Sequence, residues 1–421
     1  MDGDIGLGGF SSEGLAKIPG ALQPVVDAGD ISGFVTLLYR KGEIAQVNTL
    51  GWRDIEAKAP MTRDTLFRIA SMTKPVTSLA ALMLMEEGKL KLDDPITKWL
   101  PEFADMRVLA APTGPIGDTS PAPRDITVED LMTHRAGLAY SFTSIGPIAY
   151  AHEEALGSPL VNGLSPDEWL ERLGSLPLTF APGERFHYSH ATDVLGFLVA
   201  RIEGKPLGQV LKARIFDPLG MTDTFFWAPP EKRDRMAKLY QIVPDVAGLK
   251  DVSIPHAKSE PSFEGGGGGL ISTADDYLKF ARMLLGKGEV DGVRLVPPET
   301  IELMTANRLT PAQREIPFMG IPFWAGQGFG LGVSVITDQE KQAWMGAGST
   351  GAFGWPGAFG TWWRADPAED MVMVYLIQDS MDLSAEAAAR MASGQLATGG
   401  RMGGRMALPV FQNLVYGALG R

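Results

Sequence analysis

Ser71-Met72-Thr73-Lys74-Pro75-Val76-Thr77-Ser78-Leu79-Ala80-Ala81-Leu82-Met83-Leu84-Met85-Glu86-Glu87-Gly88 is apolar on nearly every side beyond its first turn. Gly88, just past the last apolar position, is a helix stop. A helix without a polar face belongs at the centre of a domain. Its opening turn nevertheless carries the only S-x-x-K of the chain. That spacing sets Lys74 on the face of Ser71, about one turn later, where an amine can reach the hydroxyl and help remove its proton. The hydroxyl also sits near the positive end of the helix dipole. A helix cap followed by a surface lysine would give the same letters, but lysines are rarely set into buried helices without a partner.

Upstream, residues 11–28 carry Leu15, Ile18, Leu22, Val25 and Val26 at helical spacing. Two β-rich runs follow, 33–40 and 43–50, split by Lys41-Gly42 in a hairpin signal. From about Leu92 to Phe323, short helical patterns (127–133, 166–173, 193–203, 274–285, 298–305) alternate with loops at 111–124, 139–165 and 240–264. Loops of this length usually shape a site. Strand signals return at 328–337, 359–366 and 371–378, and an amphipathic helix near 408–419 closes the chain after a Gly-rich stretch at 394–404. The expected fold is α/β (α+β), an antiparallel five-stranded sheet flanked by the N- and C-terminal helices. The expected domains are a sheet domain of residues 1–91 plus 324–421 and a large, mainly helical insertion of residues 92–323. Sites tend to lie where two such units meet.

The 421 residues suffice for a large core, and 45% hydrophobic against 21% charged residues excludes disorder as the main state. The 50 Asp+Glu exceed the 38 Lys+Arg, for a net charge of −12. Without basic clusters, such a chain is a poor partner for nucleic acid or anionic membranes. With Cys 0, disulfides, thiolate metal sites and cysteine nucleophiles are excluded together. No apolar run reaches about 18 residues, and the acidic MDGDIGLGGF start lacks the regions of a signal peptide, so a soluble cytoplasmic protein is expected.

Two further motifs could carry chemistry. In Pro182-Gly183-Glu184-Arg185-Phe186-His187-Tyr188-Ser189-His190, a turn signal leads through an aromatic run into a helix. A phenol titrates near about 10, so Tyr188 acts as a base only beside a cation, and a buried tyrosine with a satisfied hydroxyl is the plainer account. His187 and His190 alone are too few for a metal site. In residues 351–361, glycines beside aromatics at a strand edge allow close approach of a ligand to the backbone. An exposed N–H there could donate to an oxyanion, although a Gly-rich turn gives the same letters.

In this order and at these intervals, Ser71-x-x-Lys74, Tyr188-Ser189-His190 and Trp355-Pro356-Gly357 resemble the three motifs of the class C β-lactamase superfamily, in particular its esterase branch, the family VIII carboxylesterases. Phe67-Arg68-Ile69-Ala70 and residues 131–138, 215–224 and 266–275 fit the same resemblance. It implies a β-lactamase-like fold, Ser71 as acylated nucleophile and Lys74 with Tyr188 as the proton-transfer pair. The backbone N–H groups of Ser71 and Ala358 would form the oxyanion hole, with Trp355, Pro356, Gly357 and His190 binding a small-molecule ester. No cofactor and no metal are implied. Two positions depart from the penicillin-recognising members. His190 stands where they usually have Asn, and Trp355 replaces the lysine that helps hold the substrate carboxylate. Both departures favour a neutral ester with a short or aromatic acyl group over a β-lactam or peptidoglycan. The class A deacylation glutamate motif is not apparent, so water activation falls to Tyr188 and Lys74.

An α/β-hydrolase would need G-x-S-x-G, approached only at Ala347-Gly348-Ser349-Thr350-Gly351, and residues 352–357 cannot form the helix that must follow. A Ser-His-Asp triad drawing on His134, His152, His187, His190 or His256 stays open. So do β-lactamase, D-amino-acid peptidase or acyltransferase activity at the same site. Retention of serine, lysine and tyrosine together argues against a non-catalytic binding protein.

Overall fold

Every residue of strand β1 (Gly33–Arg40) is buried, because both of its faces are covered. Phe34 and Leu38 point to one side, and Val35, Leu37 and Tyr39 to the other, the two-residue period of a strand. In the computed structural model, which describes residues 7–157, 163–243, 248–255, 259–393 and 403–420, β1 turns at Lys41 and Gly42 into β2 (Glu43–Asp54). Both turn residues have positive φ (50° and 86°), the conformation a two-residue hairpin loop demands. Strands β3 (Ala59–Pro60), β4 (Gln327–Phe329), β5 (Ser334–Ile336), β6 (Phe353–Gly354), β7 (Trp362–Asp366) and β8 (Met371–Leu376) complete the sheet. Its order is β4-β5-β6-β7-β8-β1-β2-β3, antiparallel throughout.

The sheet therefore has eight strands where five were expected. The run 328–337 is two strands, because the chain reverses at Gly332 (φ 93°) and Gly330 N–H donates to Val333 O at 2.8 Å. A Cβ on Gly332 would collide with the Ser78 hydroxyl, so this turn is pressed onto the central helix. β3 and β6 have two residues each, too few to show a period. The run 359–366 becomes a strand only at Trp362, because Gly357 N–H closes a turn onto Thr361 O at 2.7 Å.

Five helices position the rest: α1 (Ser12–Asp27), α2 (Thr73–Glu86), α3 (Ala191–Glu203), α4 (Ala274–Leu285) and α5 (Ala407–Gly417). On one face of the sheet, Leu15, Ile18 and Leu22 of α1 and Phe411 and Val415 of α5 enclose Phe34, Leu38 and Met373. On the other, Tyr277 and Phe280 of α4 share a core with Val35, Val372 and Val374. That core runs on into α2, buried from Thr73 through Leu82, and from there into α3. The central helix of the sequence thus packs against both the sheet core and α3. The Gly-rich stretch at 394–404 lies, up to residue 402, outside the described residues, as do parts of the loops at 139–165 and 240–264, including His256. Among the described residues, no helix is long and apolar enough to cross a membrane.

Candidate active site

Ser71 sits in a single 3-10 turn, Ala70–Met72, immediately before α2 begins. Ala70 has φ +45°, a left-handed conformation that costs an L-residue about 1–2 kcal/mol. Surrounding bonds hold the turn: Tyr277 OH donates to Met72 O at 2.8 Å, and Leu270 N–H donates to the Thr73 hydroxyl at 3.1 Å.

Lys74 is fully buried. A buried ammonium costs several kcal/mol unless its protons find acceptors, and this one finds three. Nζ donates to Ser71 Oγ at 3.1 Å, Tyr140 OH at 3.2 Å and Gly267 O at 2.6 Å. The ring of Tyr188 lies 4.6 Å from Nζ, adding a cation–π contact. Gly267 belongs to the Gly-rich turn 265–269, wedged between α2 and α3. Thr77 Oγ1 donates to Gly266 O at 2.7 Å, and a Cβ on Gly266 would lie 2.9 Å from Thr192 O. Only glycine permits that approach.

Asp193, in the first turn of α3, joins these parts. Its carboxylate accepts the Gly267 N–H at 2.7 Å and the Tyr140 hydroxyl at 3.4 Å, and meets His190 Nδ1 at 3.0 Å. A hydrogen-bonded path thus runs from Ser71 through Lys74, Tyr140 and Asp193 to His190. Sequence reasoning missed Tyr140, Asp193 and Gly267. The one usable signal was an acid in a first helical turn together with a run of glycines, which needs a buried partner to make sense.

Tyr188 is 7% exposed, and its oxygen accepts the Trp355 indole N–H at 3.1 Å. The phenol proton is therefore left to point elsewhere. Trp355, only 2% exposed, belongs to an aromatic cluster with Phe186, Phe323, Trp324 and Phe329. Pro356 borders a separate cavity of about 100 Å³. A Cβ on Gly357 would strike Ile69 O and Thr361 Oγ1, and Thr361 Oγ1 itself donates to Ile69 O at 3.0 Å. This turn is thereby docked on the residue two before Ser71. Ala358 packs with Ala70 and Phe359, and among the described residues its N–H meets no acceptor. The two backbone segments expected to supply oxyanion donors are thus side by side.

Of the four described histidines, His134, His152 and His190 are buried and His187 is half-buried, and loss of solvent holds each below the ordinary imidazole range. His152 and His187 fall to about 3. His187 Nε2 meets Ser144 Oγ at 3.1 Å, yet no described carboxylate bonds to that ring. His190 holds Asp193, and no described serine bonds to it. Ser349 gives its N–H to Asp366 at 3.3 Å and leads into β6, not a helix. Among the described residues, no group of three or more acids and imidazoles could hold a metal.

These imidazoles set a pH limit on stability. Between about pH 6.5 and 3 the unfolded chain takes up protons that the folded one refuses, so stability is present above 6.5 and lost as pH falls. We expect Tm to decline steadily below pH 6.5 and the decline to be shallower in His152→Phe, whose ring nitrogens have no partner. A flat Tm between pH 7 and 5 would contradict this.

A sheet backed by two terminal helices, with a serine turn leading into a buried lysine-bearing helix, is the architecture of the β-lactamase type, and the chain belongs to that family. The family model described as Beta-lactamase matches residues 19–397. The chain is 49% identical to Protein Rv1367c of Mycobacterium tuberculosis, over 95% of this chain and 98% of that one. It is 33% identical to Esterase EstB of Burkholderia gladioli, over 82% and 85% of the two chains. A solved structure described as EstCE1, a hydrolase with promiscuous acyltransferase activity, superposes with a TM-score of 0.73 at 28% identity, covering 92% of this chain and 99% of that one.

Proposed function

We propose that the protein is a family VIII-type serine esterase, hydrolysing small carboxylic esters through an acyl-enzyme on Ser71. The observation that carries this is the 3.1 Å bond between Lys74 Nζ and Ser71 Oγ, with the Tyr188 ring against the same ammonium. Ser71 Oγ attacks the ester carbonyl, and its proton passes to the Lys74–Tyr188 pair, which enters the cycle one proton short of ammonium plus phenol. The N–H groups of Ser71 and Ala358 stabilise the oxyanion. The pair returns the proton to the departing alkoxide, leaving Ser71 acylated. Water then attacks the acyl group, surrendering its proton by the same route and releasing the acid. The names of EstB and EstCE1 support an ester substrate. Transfer of the acyl group to an alcohol is the second reading, favoured by the description of EstCE1. Product analysis with added alcohol separates the two.

Trp355 bears on selectivity by the charge it lacks, since the indole itself is buried in the aromatic cluster. With an indole in place of an ammonium, a carboxylate near the third motif is left unpaired in a partly desolvated cleft, at a cost of a few kcal/mol. At about 1.36 kcal/mol per factor of ten, neutral esters gain about 10² or more. On one preparation, p-nitrophenyl butyrate should be cleaved at least that much more efficiently than benzylpenicillin, and Trp355→Lys should narrow the gap. Equal efficiencies would replace the esterase with a β-lactamase. A nitrocefin assay in parallel reads slow β-lactam opening.

A further inference from the structure

Arg185 lines a cavity of about 640 Å³ that extends to Tyr188, with Phe142, Phe180, Phe186 and Phe318 among its apolar walls and Ser144 and His187 among its polar ones. Among the described residues the Arg185 guanidinium has no carboxylate partner, and its Nε is buried without any hydrogen bond. Other arginines of the same region are paired: Arg124 with Asp130, Arg135 with Glu129, Arg201 with Glu102. Glu184, the acid next to it in sequence, turns its carboxylate to the Ala181 N–H at 2.9 Å instead. The Phe180 ring lies 4.4 Å from the guanidinium carbon. Stacking of this kind fixes the guanidinium plane and leaves its edge for an acceptor. Burial weakens the proton affinity of Arg185, yet a guanidinium keeps its charge at any working pH.

The guanidinium is half-buried, and Glu184 acts on it through space without a direct bond, so an anion of fitting shape in the cavity adds the direct partner it lacks. The fork of arginine matches a carboxylate through two parallel bonds. Tyr188 borders the same cavity and, on the esterase reading above, helps return the proton to the leaving oxygen, so the cavity lies on the alcohol side of the ester. Resting on that reading, we propose that the cavity binds the alcohol part of the substrate and that Arg185 pairs with a carboxylate carried there. The substrate class is then esters of hydroxy acids with a sizeable apolar body, which a cavity of this volume accommodates. Negative charge is then recognised at Arg185, in a cavity that Trp355 does not line.

The test compares 4-(butyryloxy)benzoate with its methyl ester on the wild type, Arg185→Gln and Arg185→Lys. We expect the wild type to prefer the carboxylate in kcat/KM, and Arg185→Gln to lower the carboxylate-to-methyl-ester ratio at least about tenfold, mainly through KM. Arg185→Lys should restore part of it. An unchanged ratio with both compounds cleaved overturns the anion site and leaves the esterase intact. An Arg185-dependent preference for mono-p-nitrophenyl glutarate, with its carboxylate on the acyl side, overturns the alcohol-side assignment. If neither benzoate is cleaved, the esterase reading fails. Calorimetric binding of biphenyl-4-carboxylate to the wild type and Arg185→Gln then judges the anion site without turnover, and equal affinities overturn it.

Discussion

Ser71→Ala is expected to lower kcat/KM for p-nitrophenyl butyrate by at least about 10⁴-fold while leaving Tm nearly unchanged. The asymmetry follows from the bonds around Lys74. Removing the hydroxyl takes away one of three acceptors, and Tyr140 OH and Gly267 O still hold the ammonium. No buried charge is orphaned, so the fold tolerates the change. Chemistry does not, because no other described serine lies at the ammonium. A fluorophosphonate probe should add a single adduct to the wild type and none to Ser71→Ala. Ser349→Ala should keep most of the activity, since Ser349 is bound to Asp366 on the strand side and no described histidine bonds to it. The reverse pattern of losses would move the nucleophile away from the S-x-x-K turn.

Tyr188→Phe should cost about a hundredfold or more in kcat with little change in KM or Tm. Two tyrosines touch Lys74, and their bonds separate their duties. The Tyr140 oxygen is taken by Lys74 and its proton is directed to Asp193, so its hydroxyl bridges two buried charged groups. Removing it leaves partners unsatisfied, at about 1–3 kcal/mol, and lowers Tm. Among the described residues the Tyr188 hydroxyl bonds only to Trp355, so its loss orphans no buried charge. Tyr188→Phe therefore strikes rate and Tyr140→Phe strikes stability. The wild-type rate should rise towards alkaline pH with no step near 6.5, because burial keeps the described histidines neutral there. A near-normal rate and pH profile in Tyr188→Phe would remove the phenol from the proton path.

The elements written in contiguous letters were legible. The apolar run ending at Gly88, the Lys41-Gly42 hairpin and the helices at 274–285 and 298–305 lie where spacing and punctuation put them. The two-residue strands were not legible, because a strand that short has no period. Nor was the reversal at Gly332, whose cause is the distant Ser78. The same limit governs the site. Ser71 and Lys74 share one turn and announce themselves, whereas the contacts of Lys74 with Gly267 and of Asp193 with Tyr140 join segments that no local pattern connects. Trp355 could be placed in a motif, but its indole bond to Tyr188 exists only once β6 and the loop before α3 have come together.

The pairing of β1 with β8 has a temporal consequence. Val35 faces Leu376, so the first hairpin cannot acquire its central neighbour until residues 371–376 have left the ribosome. At about 5–20 residues per second, that wait lasts tens of seconds. Throughout it, β1 carries an open edge, a template for pairing with other nascent chains. Phe34 and Leu38 stay uncovered longer still, since Phe411 and Val415 are made later than β8. A message broken before the codons of β8 would thus yield an inert and adhesive product rather than a partly active one. The cell's burden with this protein falls on the interval between its first hairpin and α5.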